Sequence, residues 1–236
     1  MPGPGPTESL SRQIYATLRE GIIRGRYRQG TRLVEQPLAD ELRVSRVPLR
    51  EAVPLLEMDG FVRSLPRRGA VVWTWTRKDA HDLFDLRLCL EVGAAGYAAG
   101  QVAAGASTAA LSDALQRSRK GVLSGDTYRV AQDSTHFHEV IVELADNTLM
   151  RSVMRSLSGR MMWLFFLTSE LDPVDALHGH QELLEAIATG NPRLAEAVAY
   201  AHIESDRVES LRAMPHVDTS HRDTSHRDAP NVHGVA

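Results

Sequence analysis

The sequence predicts a mainly α-helical protein in which one small β-hairpin separates a short N-terminal set of helices from an antiparallel bundle of six or seven. Three observations carry that expectation. Apolar residues recur at helical spacing before residue 60 and after residue 76, they switch to alternation only in between, and most of the later helical stretches open on an Asp, Asn, Ser or Thr suited to capping.

Leu10, Ile14, Leu18 and Ile22 stripe one face of a first helix that ends near Gly25. GRYRQGTRLVE then reads as a turn and a short extended piece around Gly30. A second, short helix runs Gln36 to Leu42 and breaks at Val44; Ser45 is suited to cap a third, with Pro48 in its first turn, where a missing N–H costs little. After Gly60 come FVRSL, PRRG and AVVWTW, a hairpin with a basic tip. Helix, short helix, turn, third helix and hairpin is the order of a winged helix-turn-helix. From Thr76 onward only helices are expected. Thr76 with Asp79, Ser107, Asp126, Asn147, Asp172-Pro173 and Asn191-Pro192 open them, and the last ends near Met214. The expected units are residues 8–75 and 76–214, with 1–7 and 215–236 lacking regular structure; the tail repeats TSHRD at 219–223 and 224–228.

Apolar residues make up 43% of the 236, enough for real cores. A single cysteine, Cys89, rules out an internal disulfide and a four-thiolate zinc site, and suits a reducing, cytoplasmic setting. The first residues have no apolar stretch like that of a signal peptide, and the most apolar run, Met161 to Leu167, is far shorter than the roughly 20 residues that span a bilayer. The net charge of −3 is uneven: residues 1–76 hold twelve arginines against eight acids, and the remainder is acidic. A basic first third suits a polyanion.

In a winged helix-turn-helix the third helix enters the major groove and its N-terminal residues meet base edges. Arg46 and Arg50, one turn apart, would share that groove, and Arg67 and Arg68 at the hairpin tip would reach flanking phosphate or the minor groove.

The stretch from Ile14 to Val72, with its LA-x-x-L, VSR-x-P-x-RE and L-E-x-x-G-x-V pieces, resembles the DNA-binding domain of the GntR superfamily. DLRLCLE at 85–91, FHEVIVELADN at 137–147, HQELLEAI at 180–187 and the AH at 201–202 resemble the all-helical FCD sensor domain of its FadR-type subgroup. The resemblance implies a homodimer on a near-palindromic operator, released or re-tuned by a small carboxylate. It assigns Arg87 to that carboxylate, and an Asp and three His to a divalent ion. His138, His180 and His202 match the histidine positions, and three histidines on three helices can converge on a bundle axis, where imidazole suits zinc or nickel.

Two departures stand out. Pro54 falls inside the third helix and is expected to kink it, since it removes the bond to the Arg50 carbonyl. Ser134 occupies the position four before His138 where the subgroup has its Asp; Asp133 is the substitute at hand, about 100° around the helix. His136 and His178 are expected to face solvent. Arg87 could equally pair with Glu91, four residues on. For the dimer contact, the helix with Leu83 and Leu90 and the first helix are both available. Two other functions remain open: a regulator for which the metal itself is the signal, and a metal-dependent hydrolase. The sequence has no phosphate loop, nucleophile elbow or HExxH to favour an enzyme.

Overall fold

A computed structural model describes residues 9–65, 69–168 and 173–214. Helix α1 (Leu10–Ile23) starts at Ser9, whose side chain accepts from the Arg12 N–H, and buries Ile14, Leu18 and Ile22. A two-residue strand, β1 (Arg32–Leu33), leads into α2 (Glu35–Leu42), which stops where Arg43 turns left-handed at φ 54°. Helix α3 (Arg46–Met58) continues past Pro54 and buries Leu49, Ala52 and Leu56 against α1. Strands β2 (Val62–Leu65) and β3 (Gly69–Val72) are antiparallel, with Val62 opposite Val72 and Leu65 opposite Gly69. Strand β1 adds to β3, giving the order β1-β3-β2. Gly69 has φ +83°, and a Cβ there would stand 2.5 Å from the Leu33 carbonyl, so only glycine lets these strands close.

Among the described residues, six helices follow. They are α4 (Arg77–Ala103), α5 (Ala109–Ser124), α6 (Thr127–Leu144), α7 (Thr148–Leu167), α8 (Pro173–Ala188) and α9 (Pro192–Ala213). Thr76 and Asp79 form a reciprocal capping box at the start of α4. Asp126, Asn147 and Asn191 each accept two backbone N–H groups at the starts of α6, α7 and α9. The expected cap at Ser107 is displaced by one: α5 is capped at Thr108 without a side-chain bond, and Ser107 Oγ instead accepts from the Ala109 N–H. Helix α4 lies in the middle, packed along α9 and α6. Ala94, Ala95, Ala98 and Ala99 on α4 and Ala195 and Ala199 on α9 are all buried, and such small side chains let these two helices approach closely. None of the described helices is long and apolar enough to cross a membrane.

The sheet and the bundle meet at an aromatic seam. Trp163 of α7 stacks on Phe61 at 5.4 Å and meets Trp75 edge-on at 5.9 Å. Beside it Arg160 Nε donates to the Asp59 carbonyl at 3.1 Å, where the chain turns at Gly60 with φ +75°, a left-handed conformation that favours glycine. Leu83 and Leu90 are buried within the chain, so a dimer contact through α4 would use its exposed residues, such as Leu86 and Tyr97, instead.

Candidate functional site

The outer face of α3 carries the first group of expected residues. Arg46 opens the helix and Arg50 follows one turn later; both side chains are about half exposed. Each donates to the same oxygen, Glu35 Oε2 at the start of α2: Arg50 through Nε at 2.7 Å and Arg46 through Nη2 at 3.2 Å. Burial works against the Glu35 charge, and the two guanidiniums outweigh it, so its pKa is lowered. Arg67 and Arg68 lie outside the described residues.

The second group meets at the centre of the bundle. His138 comes from α6, His180 from α8 and His202 from α9; all three are buried, and one ring nitrogen of each lies within 4.8 Å of the others. Phe137 stacks on His180 with centroids 4.2 Å apart. His202 fits because α8 presents Gly179 to it: a Cβ there would be 2.5 Å from His202 Nδ1.

Helix α4 adds Arg87, which is fully buried. Its Nε donates to Glu91 Oε1 at 2.8 Å, its Nη1 to Asp206 Oδ2 at 3.0 Å, and its Nη2 lies 3.2 Å from His138 Nε2. Burial opposes the Arg87 charge, but Glu91 and Asp206 outweigh it and hold its pKa above the usual guanidinium value. Burial likewise pushes the Glu91 carboxyl up, and Arg87 and His138 overcome this and hold it well below the carboxylate range. Asp206 is also held low against burial, by His202 and Arg87; with His202 neutral at pH 7, Arg87 carries this.

The imidazoles are set up as donors. Burial pushes His180 well down and His202 to about 4, Asp206 only partly opposing it, so both are neutral at pH 7. His138 Nδ1 lies 2.8 Å from Glu91 Oε2, which places its proton there and turns Nε2 toward the centre, where Arg87 Nη2 and His180 Nε2 approach it at 3.2 and 3.3 Å. A carboxylate behind a histidine is the usual support of a metal-binding imidazole. His202 Nε2 is buried with no hydrogen-bond partner, at a cost of about 1–3 kcal/mol that a bound cation would relieve, while His180 turns its Nε2 toward His138 Nε2 at 3.3 Å. The donor set therefore fits a zinc- or nickel-like ion.

The structure thus brings together His138, His180, His202 and Arg87, and leaves Asp133 out. Asp133 faces α5: its carboxylate lies 3.5 Å from Arg129 Nε, and its Oδ2 would be 2.9 Å from a Cβ at Gly121. The single-residue offset from Ser134 is enough to turn it to the neighbouring helix. His178 is exposed, while His136 is half-buried and bonded to Arg117 rather than free in solvent. Two participants were not singled out from the sequence. Asp206 stands four residues after His202, a spacing that places both on one helical face. Glu35 shows no such signal, because its partners are on another helix.

The comparison with known families agrees with both halves. The model for bacterial regulatory proteins of the gntR family matches residues 10–72, and that for the FCD domain matches residues 82–205. The chain is 26% identical over 197 residues to the HTH-type transcriptional regulator YdhC of Bacillus subtilis (strain 168), covering 82% of this chain and 88% of that protein. It is 27% identical over 203 residues to the gluconate operon transcriptional repressor of the same organism, covering 82% and 83%. A crystal structure of a GntR regulator from Rhodococcus sp. RHA1 shares the fold, with a TM-score of 0.75 at 24% identity, covering 88% of this chain and 100% of that one. These families and relatives are transcriptional regulators, which sets the hydrolase aside. The chain belongs to the GntR family of bacterial DNA-binding regulators and carries an FCD domain.

Proposed function

We propose that the bundle, residues 76–214, senses a small organic acid with the help of a divalent ion, and that the acid changes the affinity of residues 8–75 for an operator. The observation that carries this reading is the fully buried Arg87 beside three converging ring nitrogens. An ion requires all three imidazoles unprotonated, and in that state Glu91, Asp206 and Arg87 sum to a net charge of minus one. A divalent ion bound by His138, His180 and His202 would reverse that sign and offer a carboxylate open coordination positions. Arg87 would then exchange part of its pairing with Glu91 or Asp206 for the acid, in the fork geometry that guanidinium and carboxylate share. An open groove between α8 and α9, bordered by Gly179, Glu182, His202 and Asp206, supplies a path from the surface. The name of the gluconate operon repressor points to a hydroxy acid for that relative.

Regulation requires that the acid favour one arrangement of a homodimer, since two reading heads are needed on a two-fold site. A preference of about 1–3 kcal/mol changes DNA affinity roughly 5- to 150-fold. The test is elemental analysis of protein purified without chelator, followed by calorimetry with gluconate and a set of dicarboxylates on the parent, His180→Ala and Arg87→Lys. Retained metal, with acid binding lost in both variants, is the expected result. Equal acid binding in all three would overturn it.

A second reading is favoured by the fact that Glu91 and Asp206 already hold Arg87. Here the ion itself is the signal. In that case zinc or nickel alone would change DNA affinity, and no acid would change it further.

A further inference from the structure

Glu35 is placed so that it does not block the two arginines it binds. It holds Arg50 by Nε and Arg46 by one terminal nitrogen. Among the described residues, both terminal nitrogens of Arg50 are then left without a partner, which is the fork that pairs with guanine O6 and N7. Glu35 is also one-third exposed, in an open groove that runs between α3 and the hairpin past Arg32, Ser64 and Gly69. A carboxylate in that position meets the two kinds of DNA group differently. Base edges are neutral and can take the free fork while Glu35 keeps its hold. Backbone phosphates are anions, and a phosphate reaching for the same guanidiniums approaches a fixed negative charge. Binding to arbitrary DNA is almost wholly phosphate binding, so the repulsion falls mainly there.

We propose that Glu35 is a specificity-determining residue: it braces Arg46 and Arg50 toward base edges and repels phosphate, so it widens the gap between cognate and arbitrary DNA. The inference rests on Arg46 and Arg50 being the reading residues, and the experiment separates the two ideas. Two probes of about three helical turns are needed. One is a random-sequence duplex pool, the other the duplex that the parent protein enriches from that pool. Affinity for each is measured over a series of salt concentrations for the parent, Glu35→Gln, Glu35→Asp and Arg50→Ala.

Glu35→Gln should bind the random pool about two- to tenfold more tightly at low salt, the range expected for removing one exposed charge from two ion pairs. Its salt dependence should steepen by about one unit in the log–log slope, as for one more neutralised phosphate. The enriched duplex should gain less or lose affinity, so the ratio falls. Glu35→Asp keeps the charge but shortens the brace, so it should leave the random pool unchanged and weaken the enriched duplex. An unchanged ratio in Glu35→Gln, with Arg50→Ala still weakening the enriched duplex, overturns the role of Glu35 alone. An Arg50→Ala variant that binds both probes like the parent overturns the reading residues themselves.

Discussion

Trp163 and Phe165, two residues apart on α7, face opposite partners. Trp163 stacks on Phe61 at the seam with the sheet, whereas the Phe165 ring lies 5.1 Å from the Arg87 guanidinium and 6.2 Å from the His138 ring. One helical turn therefore touches both the buried polar centre and the DNA-binding unit. A shift of α7 on one side must be felt on the other, because close-packed interiors do not absorb displacement.

All three tryptophans of the chain, Trp73, Trp75 and Trp163, sit at or beside this seam. Trp163→Ala should cost about 3–5 kcal/mol, the usual loss for a buried aromatic truncated to Ala, measured by urea denaturation. Trp163→Phe, which keeps a ring against Phe61, should lose less than half as much. Equal losses in the two variants would show that a ring kept against Phe61 recovers none of the stability.

The reading head gives a second expectation. Arg46→Ala and Arg50→Ala should each weaken binding to the enriched duplex by about 1–3 kcal/mol while leaving the melting temperature near that of the parent. The fold should survive because both side chains are about half exposed, whereas the buried face of α3 is formed by Leu49, Ala52 and Leu56. Parent-like affinity at matched salt in both variants would remove α3 from the DNA.

The helix starts at Asp126, Asn147 and Asn191 were legible because capping is local: a side chain satisfies N–H groups two and three residues on. The three histidines could be marked for the same kind of reason, through a resemblance that fixes their positions one by one. What the sequence did not reveal is non-local or off by one. Strand β1 was legible only as a short extended piece; two residues have no period, and its pairing with β3 joins positions about 40 residues apart. Asp133 was offered as a ligand, and one residue of offset sends it to α5. Glu35 acts on Arg46, 11 residues on, and Asp206 on Arg87, 119 residues back, where composition and spacing are silent; only the link from Asp206 to His202, four residues back, lies within reach of spacing.

Arg87 links stability to the buried centre. Arg87→Ala should destabilise the protein by about 3 kcal/mol, the low end for breaking a buried pair, since it leaves the buried Glu91 and the partly exposed Asp206 without their cation. The triple variant Arg87→Met, Glu91→Gln, Asp206→Asn should recover most of that loss, because no unpaired charge then remains. Chemical denaturation of the three proteins checks both statements. A triple variant no more stable than Arg87→Ala would place the loss in packing against Phe84 and Phe165 instead.

The proposed dimer has an available face. Leu86 and Tyr97 on α4 and Leu149 and Val153 on α7 are exposed, and these two helices pack side by side. Leu149→Glu with Val153→Glu should convert a dimer into a species near the 26.1 kDa of one chain by light scattering. A parent protein that already scatters as one chain, with and without the enriched duplex, would remove the dimer.

Gly179→Ala tests the histidine cluster without touching a ligand atom. In a helix interior, alanine is about 1 kcal/mol more favourable than glycine, so α8 taken alone should gain from the change. Yet the new methyl would stand 2.5 Å from His202 Nδ1 and 3.0 Å from Cε1, inside any allowed contact. The ring is buried, and its own helix is held against α4 by Ala195 and Ala199, so the imidazole rather than the backbone has to turn. Turning it carries Nε2 away from the other two ring nitrogens. The variant should therefore keep its helical content and lose zinc affinity by at least about tenfold, the lower end of what losing a ligand's orientation costs. Gly179→Ser should behave the same way, which separates the steric effect from helix propensity. Zinc titration by calorimetry, with circular dichroism on the same samples, reads both quantities. Unchanged zinc affinity in a folded Gly179→Ala protein would mean that His202 is not part of the ion's coordination.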